Sequence, residues 1–328
     1  MKPSRVLEVL DSLFETRWPV FLWGPPGAGK SSLVRLAAQR RGLPLLDVRA
    51  SLLDPTDLRG IPAVIDGRAV WCPPSFLPSD EMPPGILFFD ELNAAPQLVQ
   101  ASLYQLTLDR RVGEYVLPAG WRIIAAGNRA EDHSVTFRMP AALANRFIHL
   151  DFETDFEDWR VWAGAAGIHP LVVGFLGTRR ELLLDMRQHS ERGFPTPRSW
   201  EMVSDALRAL GRARDAADVI LGIVGEGASA EFLGYCDQAI SEEALRAILA
   251  DPANAPLPVK LGDLYGLLAY VTANIHEPSI KEAAGVLIGR LSPELAVLLI
   301  RDVLRIDPTF SRSRAYRDFI AKHKELLA

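Results

Sequence analysis

Eight residues near the start of the chain constrain its fold more than any others. Gly24-Pro-Pro-Gly-Ala-Gly29-Lys30-Ser31 matches the spacing G-x-x-x-x-G-K-[ST] in every fixed position. The apolar run Pro19-Val-Phe-Leu-Trp23 precedes it, and a helical stretch follows through Arg41, with Gly42 placed to end it. Strand, glycine-rich turn and helix in that order make a phosphate cradle. Backbone N–H groups wrap the anion, and the positive end of the helix faces it. Only six lysines occur in 328 residues, so a chance match is not expected. Lys30 is placed to reach the β- and γ-phosphates of a nucleotide, and the Ser31 hydroxyl to ligate magnesium.

Four further apolar runs are strand candidates: Leu43–Val48, Ile86–Phe89, Trp121–Ala126 and Phe147–Leu150. Helical stretches such as Pro96–Arg110 separate them. Apolar strands interleaved with helices predict a parallel sheet covered on both faces, so the first ~150 residues read as one α/β domain. After Asp155 the pattern turns helical. Leu264, Leu267, Leu268 and Val271 line one helical face. Leu295, Leu298, Leu299, Val303 and Ile306 line another, opened by Ser292 as cap and Pro293 in the first turn.

Two polar positions stand at strand ends, where α/β sheets bind ligands. Asp90-Glu91 closes the most apolar strand in the chain. Asp90 is expected to hold magnesium, through water, and Glu91 to orient and deprotonate an attacking water. A phosphate loop without such a base would be a binder, so Glu91 is the argument for hydrolysis. Asn128 ends the run Ile123–Gly127; its neutral amide can hydrogen-bond both the nucleophilic water and a γ-phosphate oxygen. The bland alternatives are a solvated strand end or helix cap for the acids and a turn pair for Gly127-Asn128.

Composition narrows the remaining classes. The net charge of −5, from 36 basic and 41 acidic residues, argues against a general nucleic-acid coat. No apolar run approaches the ~20 residues that cross a bilayer, and Met1–Glu8 turns acidic before a signal-peptide core could form. Two cysteines without a CxxC pair, and six scattered histidines, exclude a disulfide scaffold and a Cys/His zinc site. A reducing compartment, the cytoplasm, is expected.

The order of these parts resembles the AAA+ ATPases, and within them the MoxR group. Gly24–Ser31, Ile86-Leu-Phe-Phe-Asp-Glu91, Ala126-Gly-Asn128, Ala144-Asn-Arg-Phe147 and Thr196-Pro-Arg198 carry the resemblance over residues 15–210. Asp54–Gly60, Asp90-Glu-Leu-Asn93 and Leu108–Glu114 suit MoxR-type members better than clamp loaders or proteases. The resemblance implies a P-loop NTPase domain over 1–153, a helical lid over 154–212 and a helical C-terminal region over 213–328. Its nucleotide-binding set would be Gly24, Pro25, Pro26, Gly27, Ala28, Gly29, Lys30, Ser31, Ser32 and Asp90, with ATP and Mg2+ as ligands. Arg146 would be an arginine finger acting on a neighbouring subunit, and Arg198 a second sensor on the lid. Arg129 departs from the proline that many relatives carry after the sensor asparagine.

The same resemblance makes Ala50–Gly85 a helix 2 insert, a hairpin directed at a central pore. Ile61, Pro62, Trp71 and Phe76 are its candidates for substrate contact, although Trp71 and Phe76 could instead pack on the domain. Arg110 and Arg111 could line a subunit interface, or sit in a solvated cluster with Asp109 and Glu114. MoxR-type proteins form rings, typically hexamers. They work with a von Willebrand factor A domain partner to mature or activate a client protein, often a metalloenzyme. The alternatives are an ATP-gated scaffold with little turnover, which Glu91, Asn128 and Arg146 disfavour, and a nucleic-acid motor, which the net acidity disfavours.

Overall fold

The computed structural model describes residues 1–132, 136–187 and 193–323 and divides into two units, Met1–Thr154 and Asp155–Ala328. In the first unit, helix α1 (Pro3–Leu13) leads into strand β1 (Val20–Trp23), and helix α2 (Lys30–Arg41) leads to strand β2 (Leu45–Arg49). Helix α3 (Pro55–Arg59) and the strands β3 (Ile61–Ile65) and β4 (Arg68–Cys72) come next. Strand β5 (Ile86–Asp90), helix α4 (Gln97–Asp109) and the short strands β6 (Arg111–Val112) and β7 (Tyr115–Val116) follow. Strand β8 (Arg122–Gly127), helix α5 (Ala141–Ala144) and strand β9 (Ile148–Asp151) close the unit.

Five strands form one parallel sheet in the order β2-β5-β8-β1-β9. Strand alternation sends side chains to two apolar layers, as period 2 requires. Phe21, Leu87, Phe89, Ile123 and Ala125 meet Val99, Leu103 and Leu106 of α4 on one face. On the other, Val20, Leu22, Ile86, Phe88, Ile124 and Ala126 meet α1 through Val6, Leu7 and Leu10 and α2 through Leu33, Val34 and Ala37. The five strand candidates of the sequence are these five strands. Gly42 ends α2 in the left-handed region at φ 63, and Arg40 and Arg41 lie in its last turn, where cations suit the helix dipole.

The long segment between β2 and β5 is structured. Asp54 and Asp57 form a capping box on α3, and β3 and β4 pair antiparallel through a two-residue turn. Ile61 and Val64 are about four-fifths exposed, and Trp71 is exposed with the Arg59 guanidinium 5.9 Å above its ring. Phe76, by contrast, packs on the core. The two aromatic candidates of this segment therefore part ways.

The second unit is helical in its described residues. Its helices are α6 (Phe156–Ala165), α7 (Pro170–Thr178), α8 (Pro197–Leu210), α9 (Ala217–Val224) and α10 (Glu226–Cys236). The remainder are α11 (Glu242–Ala250), α12 (Leu261–Ala273), α13 (Pro278–Ile288), α14 (Pro293–Ile306) and α15 (Arg314–Lys322). One apolar cluster joins Trp159, Val172, Phe175 and Trp200 to Ile220 and Phe232, so α9 and α10 share a core with α6 to α8. A second joins α11 to α15, and α12 contributes to both through Tyr265 and Leu267. A buried ion pair links Arg160 of α6 to Asp302 of α14. Burial pushes the Asp302 carboxyl above its ordinary range, against the pull of Arg160.

Candidate functional site

Parallel pairing places three strand ends side by side. Trp23 of β1 pairs with Gly127 of β8, and Phe89 of β5 with Ala125 of β8. The residues that leave these ends, Gly24–Gly29, Asp90-Glu91 and Asn128, therefore converge on one edge of the sheet. Gly24 N–H donates to the Gly127 carbonyl at 3.2 Å, so the loop starts anchored to β8. Gly27 and Gly29 adopt φ 72 and 105, a region that side-chain-bearing residues avoid. A Cβ at Gly29 would meet nothing within 4 Å: it is the backbone conformation, not crowding, that calls for glycine here. Gly29 is also the N-cap of α2 and makes no side-chain cap bond, which leaves the first-turn N–H groups facing the loop.

Lys30 is buried at 8% exposure, and its ammonium donates to the carbonyls of Gly24 (2.6 Å) and Pro25 (2.9 Å) and to Asn128 Oδ1 (2.9 Å). Ser31 Oγ donates to Asp90 Oδ2 at 2.6 Å. Glu91 sits in the left-handed region at φ 55, a strained backbone for a glutamate. Its N–H donates to Asp90 Oδ1 (2.9 Å), and its Oε2 accepts from Ser51 Oγ (2.6 Å). Asp47 on β2 also feels this site: burial first, and then the Asp90 carboxylate, push its own carboxyl upward.

The donor set fits magnesium. Ser31 Oγ and Asp90 Oδ2 are hard oxygen donors of the kind magnesium takes, within hydrogen-bond distance of each other. Magnesium is held by one or two such groups with phosphate oxygens rather than by an all-protein cage. No cluster of three His, Cys, Asp or Glu suited to a metal occurs among the described residues.

The Arg129 guanidinium pairs with Asp151 at 3.0 Å. Arg146 follows α5, and its guanidinium stacks on the Tyr104 ring of α4 at 3.6 Å and donates to the Ala142 carbonyl. Its Nε has no partner among the described residues. His149 of β9 accepts from the Trp23 indole (2.8 Å), and its Nε2 lies 2.8 Å from the Ala144 carbonyl at the end of α5. Half-buried Arg110 donates through Nη2 to the carbonyls of Pro118 (2.8 Å) and Trp121 (2.9 Å) of its own chain. Arg198 belongs to the second unit, exposed in the first turn of α8, where Thr196 caps the helix and Pro197 opens it.

Sequence reasoning assigned no role to three residues of this neighbourhood, although Asn93 stands within the motif Asp90-Glu-Leu-Asn93. Ser51 reaches Glu91 from just beyond β2. Asn93, 3% exposed, brackets the Asn128 main chain from beyond β5. Tyr104 supports Arg146. Asn93 had a signal, a polar residue two positions after the acid pair; Ser51 and Tyr104 had none that a local pattern could show.

Residues 19–147 match the AAA domain family of the dynein-related subfamily. The chain is 26% identical over 193 residues to the denitrification regulatory protein NirQ of Stutzerimonas stutzeri, spanning 55% of this chain and 70% of that protein. Among solved structures, NtrX from Brucella abortus in complex with ADP aligns at 19% identity and a TM-score of 0.37, covering 93% of this chain and 68% of that one. The RuvB Holliday junction branch migration motor of Thermotoga maritima aligns at 16% identity and a TM-score of 0.36, covering 86% and 87%. The phosphate loop, the strand order that carries it and the AAA match over residues 19–147 together identify the first unit as carrying an AAA-type ATPase domain.

Proposed function

We propose that the chain hydrolyses ATP with magnesium as a ring-forming motor, a hexamer, that remodels or activates a partner protein. The contacts of Lys30 with Asn128 and of Ser31 with Asp90 carry this reading, because they gather the loop cation, the hydroxyl, the acid and the amide on one sheet edge. Lys30 holds the β- and γ-phosphates, and the backbone of Gly24–Gly29 cradles them. Ser32 contributes from the first turn of α2. Ser31 and Asp90 hold the metal, which when bound neutralises charge on the transferring phosphoryl group. Glu91 takes the proton of the attacking water, and Asn128 orients that water against the γ-phosphate.

Arg146 acts in trans on a neighbour's nucleotide, and Arg198 contacts nucleotide from a lid over 154–212. Support for the first comes from its surroundings: partly exposed, stacked on an aromatic ring and without an acidic partner among the described residues. The exposed Ile61, Val64 and Trp71 suit a contact with an unfolded or flexible client segment. A von Willebrand factor A domain partner and a metalloenzyme client follow from the MoxR resemblance. Cytoplasmic placement is part of the same reading; no helix of the described residues is long and apolar enough to cross a membrane.

A trans arginine contributes ~10³-fold or more to phosphoryl transfer, on the order of 4 kcal/mol. Turnover per subunit should therefore rise with protein concentration. Lys30→Ala, which loses ATP binding, mixed with Arg146→Ala should regain activity, since some interfaces pair an intact loop with an intact finger. Constant turnover down to a dilution where light scattering shows only monomers would sink the trans assignment.

A further inference from the structure

Strands β5 and β8 pair from Ile86↔Arg122 to Phe89↔Ala125, and there the pairing stops. The chain leaves β5 through Asp90 and the left-handed Glu91, while β8 runs on to Gly127 and Asn128 with β1 on its other side. On the β5 side the main chain of Asn128 has lost its strand neighbour. The side chain of Asn93 stands in that gap. Its Nδ2 donates to the Asn128 carbonyl at 2.6 Å, and its Oδ1 accepts from the Asn128 N–H at 3.2 Å. Both ends of one amide thus meet both polar groups of one residue, as a neighbouring strand would. The fit is tight, since a Cβ on Gly127 would lie 2.2 Å from Asn93 Oδ1. The Asn93 carbonyl is in turn held by the Phe137 N–H at 2.7 Å.

We propose that Asn93 is a positioning residue for ATP hydrolysis, its buried amide acting as a surrogate strand that holds the Asn128 side chain in register with Asp90 and Glu91. The inference rests on the reading of Asn128 as the residue that orients the attacking water. Asn93 is two residues from Glu91 in the chain, and Asn128 Oδ1 touches Lys30 Nζ. The amide therefore ties the strand end with the acids to the strand end with the loop's polar partner. Without the donor, the half-buried Asn128 carbonyl is left without this partner, and the residue is free to turn.

Asn93→Asp separates positioning from simple packing. The carboxylate keeps the shape and the acceptor for Asn128 N–H, but its second oxygen faces the Asn128 carbonyl with no proton between them. Protonated, the same carboxyl donates through its O–H and accepts through its C=O, so it reproduces the amide. At about pH 8 the kcat of the variant should fall about tenfold or more, with KM for ATP changed less than about threefold. On acidification to about pH 5.5 the ratio of its kcat to wild type should climb towards one. In nucleotide-free protein, its melting midpoint should lie below wild type at pH 8 and close the gap at pH 5.5, because a carboxyl with a raised folded-state pKa regains stability as pH falls.

A kcat ratio and a melting gap that both ignore pH overturn the inference, as does wild-type turnover of the variant at pH 8. If the variant does not fold at pH 8, it is refolded at pH 5.5: soluble, active protein supports the surrogate strand, and aggregation at both pH values overturns it. Asn128→Ala tells the two readings apart. Wild-type turnover by Asn128→Ala removes the catalytic reading of that residue, and the melting gap alone then decides whether Asn93 acts as a surrogate strand.

Discussion

Replacing Glu91 by glutamine removes one charge and one proton acceptor while disturbing little else. Glu91 Oε2 accepts from Ser51 Oγ at 2.6 Å, and glutamine keeps an oxygen for that bond. The left-handed backbone at φ 55 and the N–H bond to Asp90 Oδ1 do not depend on the carboxylate. Lys30, Ser31 and Asp90 keep their contacts, so nucleotide affinity should stay within about threefold of wild type. A general base contributes 10²–10⁴-fold to a proton-transfer step, about 3–5 kcal/mol of barrier. Exchanging a charge-assisted bond with Ser51 for a neutral one costs about 1 kcal/mol, less than one decade in the population of the side chain. That cannot imitate the loss of the base. Single-turnover phosphate release should therefore drop at least about 100-fold while a fluorescent ATP analogue still binds. Release within tenfold of wild type would falsify the assignment of Glu91 as base.

Two further outcomes concern the framework. Gly127→Ala drives a Cβ to 2.2 Å from Asn93 Oδ1 and 2.8 Å from the Phe21 ring, so stability should fall by about 1–3 kcal/mol and turnover with it; an unchanged melting midpoint would contradict the close packing. Arg160→Met strands the buried Asp302 carboxylate and should cost about 3–5 kcal/mol at pH 8 by denaturant titration. Burial already raises the Asp302 pKa, so the folded state takes up its proton before the unfolded chain does, and the loss should shrink as pH falls towards the ordinary carboxyl range. A loss below about 1 kcal/mol at pH 8 would argue against a buried, paired charge.

Much of the first unit was legible because its signals are local. The loop Gly24–Ser31 is a contiguous motif, and the apolar runs announce strands covered on both faces. The β3–β4 hairpin, expected from family resemblance, had its own signal as well: Asp66-Gly67, with φ 52 and 71, is the two-residue turn that matches strand twist. Other residues were ambiguous because one local pattern fits two surroundings. Arg110 reads as a surface cation, yet its left-handed position at the end of α4 turns it onto two carbonyls of its own chain. Trp71 and Phe76 are five residues apart with the same apolar character, and only Phe76 lands on the core.

By itself the sequence determined that a phosphate cradle would form, that acids would end one strand and an amide another, and that helices would follow. These depend on backbone preference and hydrophobic period, which act over a few residues. Only the tertiary structure decided that β5 and β1 flank β8, and hence that Asn93 would meet Asn128, Ser51 would meet Glu91 and Arg146 would meet Tyr104. Strand order is settled by pairing and burial between segments tens of residues apart, where each contact is stable only once the whole sheet has closed on its two apolar layers.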